Sequence, residues 1–111
     1  MTNNEIFESQ MNFDESLAGV YEHDTEVGYF YLYDLARAEG RKVINAVQVS
    51  VGPFRHAKDD LAIRWSHDNS IVGLFIKEQL IAAFDVKNGE AFGGEGGAPA
   101  PVSIESSFRI H

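Results

Sequence analysis

"VGYFYLYD", residues 27–34, decides how the rest of the chain is read. Tyr29, Tyr31 and Tyr33 alternate with Phe30 and Leu32. In a strand, successive side chains point to opposite faces, so the three phenols share one face and the two apolar groups the other. Aromatic residues suit a pleated, half-buried surface and form helices poorly. Phe30 and Leu32 carry no polar atom and belong in the core. The tyrosines then take the outer face, each ring lying flat with its hydroxyl in water. Such a row is a sheet's outer skin, and it is also a contact surface, because tyrosine offers large area at low entropic cost and is enriched at interfaces. A stacking platform for a sugar or base is a third use, but for nucleic acid the row has no basic neighbours.

Period two continues on both sides of this stretch. "LAGVYEH" (17–23) precedes it and "VINAVQVSV" (43–51) follows. "LAIRWS" (61–66) has the cleanest alternation, with Leu61, Ile63 and Trp65 facing the core. "IVGLFIK" (71–77) and "LIAAFDV" (80–86) are joined across "KEQ", a tight hairpin. Asn88-Gly89 should reverse the chain again into a stub around Ala91 and Phe92. "VSIESSFRI" (102–110), with Val102, Ile104, Phe108 and Ile110 in register, reads as a final strand that docks. "GGEGGAPAP" (93–101) reads as a mobile Gly/Pro loop. Ile6, Phe7, Met11 and Phe13 read as one short N-terminal helix or a frayed end within residues 1–15.

The expected fold is all-β: an antiparallel sandwich or strongly curled sheet of six or seven strands, with one short N-terminal helix, in a single domain over 1–111. Residues 71–77 and 80–86 are apolar on both faces. A second sheet, the N-terminal segment or a second subunit must therefore cover them.

Composition narrows the function classes. At 111 residues there is room for one modest core, and no cysteine means no disulfide, no thiolate chemistry and no cysteine-based zinc site. "MTNNEIFESQMNFDE" lacks the basic and apolar regions of a signal peptide. No apolar run approaches the roughly 20 residues of a membrane span. A cytoplasmic location is expected. Net charge is -8, and eight acids precede the first base, Arg37: Glu5, Glu8, Asp14, Glu15, Glu22, Asp24, Glu26 and Asp34. Beyond residue 36, nine acids and nine bases cancel. An acidic surface repels phosphate, which disfavours nucleic acid and anionic membranes and favours a basic protein partner or a bound cation.

Three clusters are candidate sites. Glu22, His23, Asp24 and Glu26 place a histidine among carboxylates, a donor set for a divalent cation, although no second histidine lies at i+2 or i+4 and calcium-loop spacing is absent. Ser66, His67, Asp68 and Ser70 invite comparison with a catalytic triad, but triad members normally meet from distant positions and Asp68-Asn69 are better explained as turn formers. Arg55, His56, Lys58, Asp59 and Asp60 form a mixed-charge loop after Pro53.

"YEHDTEVGYFYLYDL", "VINAVQVSV" and "IRWSHDNSIVGLFIKEQLIAAFDV" together resemble a family of small bacterial proteins defined only as a domain of unknown function. The shared motifs are an acidic turn running into Gly-Tyr-Phe-Tyr, a Trp-Ser-x-Asp turn and a hairpin ending in Phe-Asp, over roughly residues 20 to 86. The Gly-rich C-terminal part departs from that pattern. The resemblance implies a compact bacterial domain and no particular activity.

The expected function is therefore a non-enzymatic protein-binding module without a cofactor. Its binding surface comprises Tyr29, Tyr31, Tyr33, Glu22, Asp24 and Glu26, and an immunity-type inhibitor fits its size and charge. The alternative is a metal-dependent or small-molecule-binding protein using the acidic turn at Glu22–Glu26, with His23 and Asp24 as the candidate metal ligands. A homodimer paired through the doubly apolar strands is the third expectation.

Overall fold

The structure, a computed structural model, describes residues 6–24, 26–52 and 56–108. Among the described residues, eight strands form two antiparallel sheets, each a meander in chain order. The first holds β1 (Ile6–Met11), β2 (Leu17–His23), β3 (Val27–Asp34) and β4 (Val43–Val51). The second holds β5 (Leu61–Trp65), β6 (Ile71–Ile76), β7 (Gln79–Asp85) and β8 (Glu90–Gly93). A single 3-10 turn, Lys58–Asp60, precedes β5, and a short helix, α1 (Val102–Ser106), follows β8. The all-β, antiparallel class is as expected. The strands number eight, divided four and four, where six or seven were expected.

The sheets meet through the side chains that the alternation assigns inward. Tyr21, Phe30, Leu32 and Val49 of the first sheet pack with Leu61, Ile63, Val72, Leu74, Ala82 and Phe84 of the second. Phe30 and Phe84 stack at the centre, their centroids 4.9 Å apart. Gly19 permits this approach: a Cβ there would lie 2.7 Å from Val72 Cγ2. Both open edges are tied across. Trp65 Nε1 donates to the Gln10 carbonyl at 2.9 Å, and the Glu95 amide donates to the Gln48 carbonyl at 2.8 Å. Trp65 is thus half-buried against the rim of the core rather than at its centre.

Two local expectations are corrected. Residues 6–11 form strand β1, paired with β2 from Ile6↔His23 to Met11↔Ala18, in place of the N-terminal helix. The C-terminal segment expected as a strand is helical over Val102–Ser106, with Pro101 as its N-cap. Its remaining expected residue, Ile110, lies outside the described residues. The segment does dock. Ile104 packs with Ile71 and Ala83, and Phe92 and Phe108 pack beside them. The Phe108 ring meets Phe75 edge-on at 5.1 Å, seated where Gly73 leaves room. The doubly apolar β6 and β7 are therefore covered on one side by the first sheet and on the other by the chain's own C-terminal segment, a cover the sequence reading did not include.

The turns follow side-chain chemistry. Lys77 and Glu78 (φ 51° and 66°) make the two-residue hairpin between β6 and β7 in the left-handed region, where Asn-Gly is the usual choice. The segment after β8 folds back on itself, with the Gly93 amide donating to the Ala98 carbonyl at 2.7 Å.

Candidate interaction face

Register places the site. Directly paired residues share a face, so Phe7, Glu22, Tyr29 and Gln48 form one row across the outer side of the first sheet. Ser9, Val20, Tyr31 and Ala46 form the next, and Met11, Ala18, Tyr33 and Val43 the third. Val27 and Val51 pair beyond them. The tyrosine row is the spine of this face. The Tyr29 and Tyr31 rings stack at 5.7 Å, and Tyr33 meets Tyr31 edge-on at 6.1 Å. Tyr29 Oη donates to Gln48 Oε1 at 3.3 Å. Phe30 and Leu32 lie in the core, so the alternation sorts the strand as expected.

The rings are half-buried, whereas their cross-strand neighbours Val20 and Ala18 are each only 3% exposed. The phenols roof the aliphatic strand and keep their own outer surface in contact with water. Around them Phe7 (56% exposed), Val51 (69%), Met11 and Val43 remain open to solvent. The sequence does not place any of these four apolar residues on this face. The spacing of Phe7 and Met11 was assigned to a helix. The outward positions of the 43–51 strand could have been flagged by pairing Val51 with Val27.

The electrostatics favour the neutral phenol. Burial raises the Tyr31 hydroxyl above its ordinary 10.0, and the Glu22 carboxylate adds to the shift. Tyr33 is raised by burial first, then by the charge of Glu22 and by a hydrogen bond with it. Glu22 is thus the acid that sits among the rings. Asp24 and Glu26 lie at the rim in the β2–β3 turn. Asp24 Oδ1 accepts from the Glu26 and Val27 amides at 2.7 and 2.8 Å. Those bonds, the Glu26 one foremost, lower its pKa below the usual 3.8.

The structure separates the candidate metal donors. Glu22 points outward with the tyrosines. His23 points inward, is 1% exposed, and has Nε2 2.9 Å from the Gly52 carbonyl. Gly28 leaves space for it: a Cβ there would lie 2.6 Å from Tyr21 Oη and 2.9 Å from His23 Cδ2. Among the described residues no three His, Cys, Asp or Glu side chains converge as metal ligands.

The other two clusters resolve into turns. Asp68 Oδ1 accepts from Ser70 Oγ at 2.7 Å, Ser66 Oγ at 2.9 Å and the Ser70 amide at 3.1 Å, and its carboxyl falls to about 2. Ser66 Oγ in turn accepts from the Ile71 amide at 3.1 Å, so the serine is a turn brace. His67 is exposed and is not part of that network. Asp60 Oδ2 accepts from the Ala57 amide, and His56, Lys58 and Asp59 are exposed. Arg55 and Pro53 lie outside the described residues. No described helix is long and apolar enough to cross a membrane.

No curated protein and no solved structure matches the chain. A family model matches residues 1–107, and so runs past the stretch carrying the motifs and through the Gly-rich segment. The chain belongs to that family, an uncharacterized protein conserved in bacteria (DUF2251).

Proposed function

We propose that the protein is a non-enzymatic binding module whose outer first-sheet face docks on a basic protein surface. The observation that carries this reading is the uncovered face itself, where a tyrosine spine with Glu22 among its rings is flanked by exposed Phe7, Met11, Val43 and Val51. Large apolar side chains gathered on one face of a soluble protein mark contact sites, and aromatic residues dominate the energetics of such sites. The excess of acid in the first third of the chain, and the acidic rim at Asp24 and Glu26, favour a cationic partner and fast, salt-sensitive association. An immunity-type inhibitor that masks a basic toxin is one form such a module takes.

The metal-dependent alternative draws less support, because Asp24 is engaged in its turn and His23 faces the core.

The test is capture on immobilised protein from a bacterial lysate at low and high salt. Wild type is compared with a Tyr29→Ala, Tyr31→Ala, Tyr33→Ala variant and with Glu22→Lys, which reverses charge and leaves the rings in place. A basic protein retained by wild type, weakened by salt and lost by both variants is the expected result. Retention indifferent to salt and to both variants overturns the reading. So does a captured species that proves to be a second copy of this chain.

A further inference from the structure

A groove of about 1100 Å³ opens where the end of β1 and the loop after it, β5 and α1 meet. Three rings wall it, Phe13, Trp65 and Phe108, with Arg64, His67 and Asn69 among its polar lining. Phe13 is 92% exposed, so burial does not account for its position. It is nevertheless held there. Its amide donates to Asn69 Oδ1, on a residue 56 positions away in the β5–β6 turn. Asn69 adopts the left-handed region (φ 62°), and its Nδ2 donates to the Ser66 carbonyl at 3.3 Å.

Arg64 is held as well. Its guanidinium carbon lies 5.1 Å from the centre of the Phe75 ring, a cation–π contact that fixes the fork without neutralising it. Among the described residues it has no carboxylate within ion-pair distance. The chain has 17 acids to 9 lysines and arginines, yet none of the described residues lining this groove is acidic. Arg64 is the one Lys or Arg among the described lining, and Asp14 and Asp68 line an adjoining hollow that shares Phe13, His67 and Asn69, so it is the ring-walled Arg64 end that is complementary to an anion with a flat apolar body. The planar fork of arginine matches a carboxylate in two-point geometry.

We propose that this groove binds a small aromatic carboxylate. The ring lies among Phe13, Trp65 and Phe108; the carboxylate pairs with Arg64, and His67 and Asn69 are the neighbouring polar groups. The proposal does not rest on the docking face, with which the groove shares Met11. Trp65 is the chain's single tryptophan, so its fluorescence reports occupancy directly.

The probe is 3-phenylpropionate titrated into the full chain, with 3-phenyl-1-propanol as its neutral counterpart. The expected result is a saturable change with half-saturation at or below about 1 mM, and binding of the alcohol at least about tenfold weaker. Arg64→Gln should weaken the acid at least about tenfold and bring its affinity down to that of the alcohol. Phe13→Ala alters a side chain that the fold does not bury, and should weaken acid and alcohol alike by about threefold or more. If Arg64→Gln melts early, Phe13→Ala decides. No saturable change in wild type overturns the proposal. So does equal affinity for acid and alcohol, or full affinity in both variants.

Discussion

The two sheets have the same number of strands and the same meander order, and they differ in how their outer faces are finished. Outside the second sheet Ile71, Phe75 and Ala83 are sealed by Ile104 and Phe108 from the C-terminal segment. Outside the first, nothing in the described chain lies over Tyr29, Tyr31 and Tyr33. Their rings instead shelter Val20 and Ala18 while meeting water themselves. An aliphatic outer face needs a lid from elsewhere in the chain. A tyrosine face is its own lid, and what remains exposed is a large, nearly rigid surface available to another molecule.

The comparison breaks most readily at Phe108. Removing the ring by Phe108→Ala uncovers Gly73 and Phe75, and should cost about 2 kcal/mol of stability, read as a lowered urea midpoint, with new binding of a hydrophobic dye. An unchanged midpoint would mean that the C-terminal segment is not a cover. Tyr31→Ala, the matching deletion on the first sheet, should cost under about 1 kcal/mol, because Tyr29 and Tyr33 flank the ring and remain to shelter the strand beneath. A loss as large as that of Phe108→Ala would make the tyrosine row a structural layer and weaken its reading as a docking face.

The smallest effect sharpens what the sheets share. Both use aspartates as turn clamps, Asp14 and Asp24 in the first and Asp68 in the second, each with a lowered pKa caused mainly by hydrogen bonds from the turn. For Asp68 the folded value is about 2 against an ordinary 3.8. A depressed carboxyl stabilises the fold fully above its unfolded value and loses that contribution as pH falls through the folded one. Asp68→Asn should therefore lower the melting temperature slightly at pH 6, with the gap to wild type closing between about pH 4 and pH 2. A gap that persists unchanged into acid would assign the effect to side-chain shape rather than charge.

The sequence made the alternating strands legible because one face of each is buried. "YFYLY" and "LAIRW" could be sorted into inner and outer residues without coordinates. It misled at both ends for one geometric reason. A spacing of four satisfies a strand's period of two and nearly satisfies a helix's 3.6. Phe7 and Met11 have that spacing in a strand that was read as a helix. Ile104 and Phe108 have it in a segment, read as a strand, whose first turns are helical. At the docking face the tyrosines and Glu22 were identifiable, while Phe7 and Val51 needed the register. The groove was invisible, since Phe13, Arg64 and Phe108 are brought together only by tertiary packing.

Because the backbone ladder of every strand runs only to its neighbours in sequence, each sheet is the product of one unbroken stretch of the chain. Pairing within a sheet closes only short loops, whereas bringing Phe30 onto Phe84 joins residues distant in sequence. A topology of this kind favours two ribbons that zip locally and then join face to face.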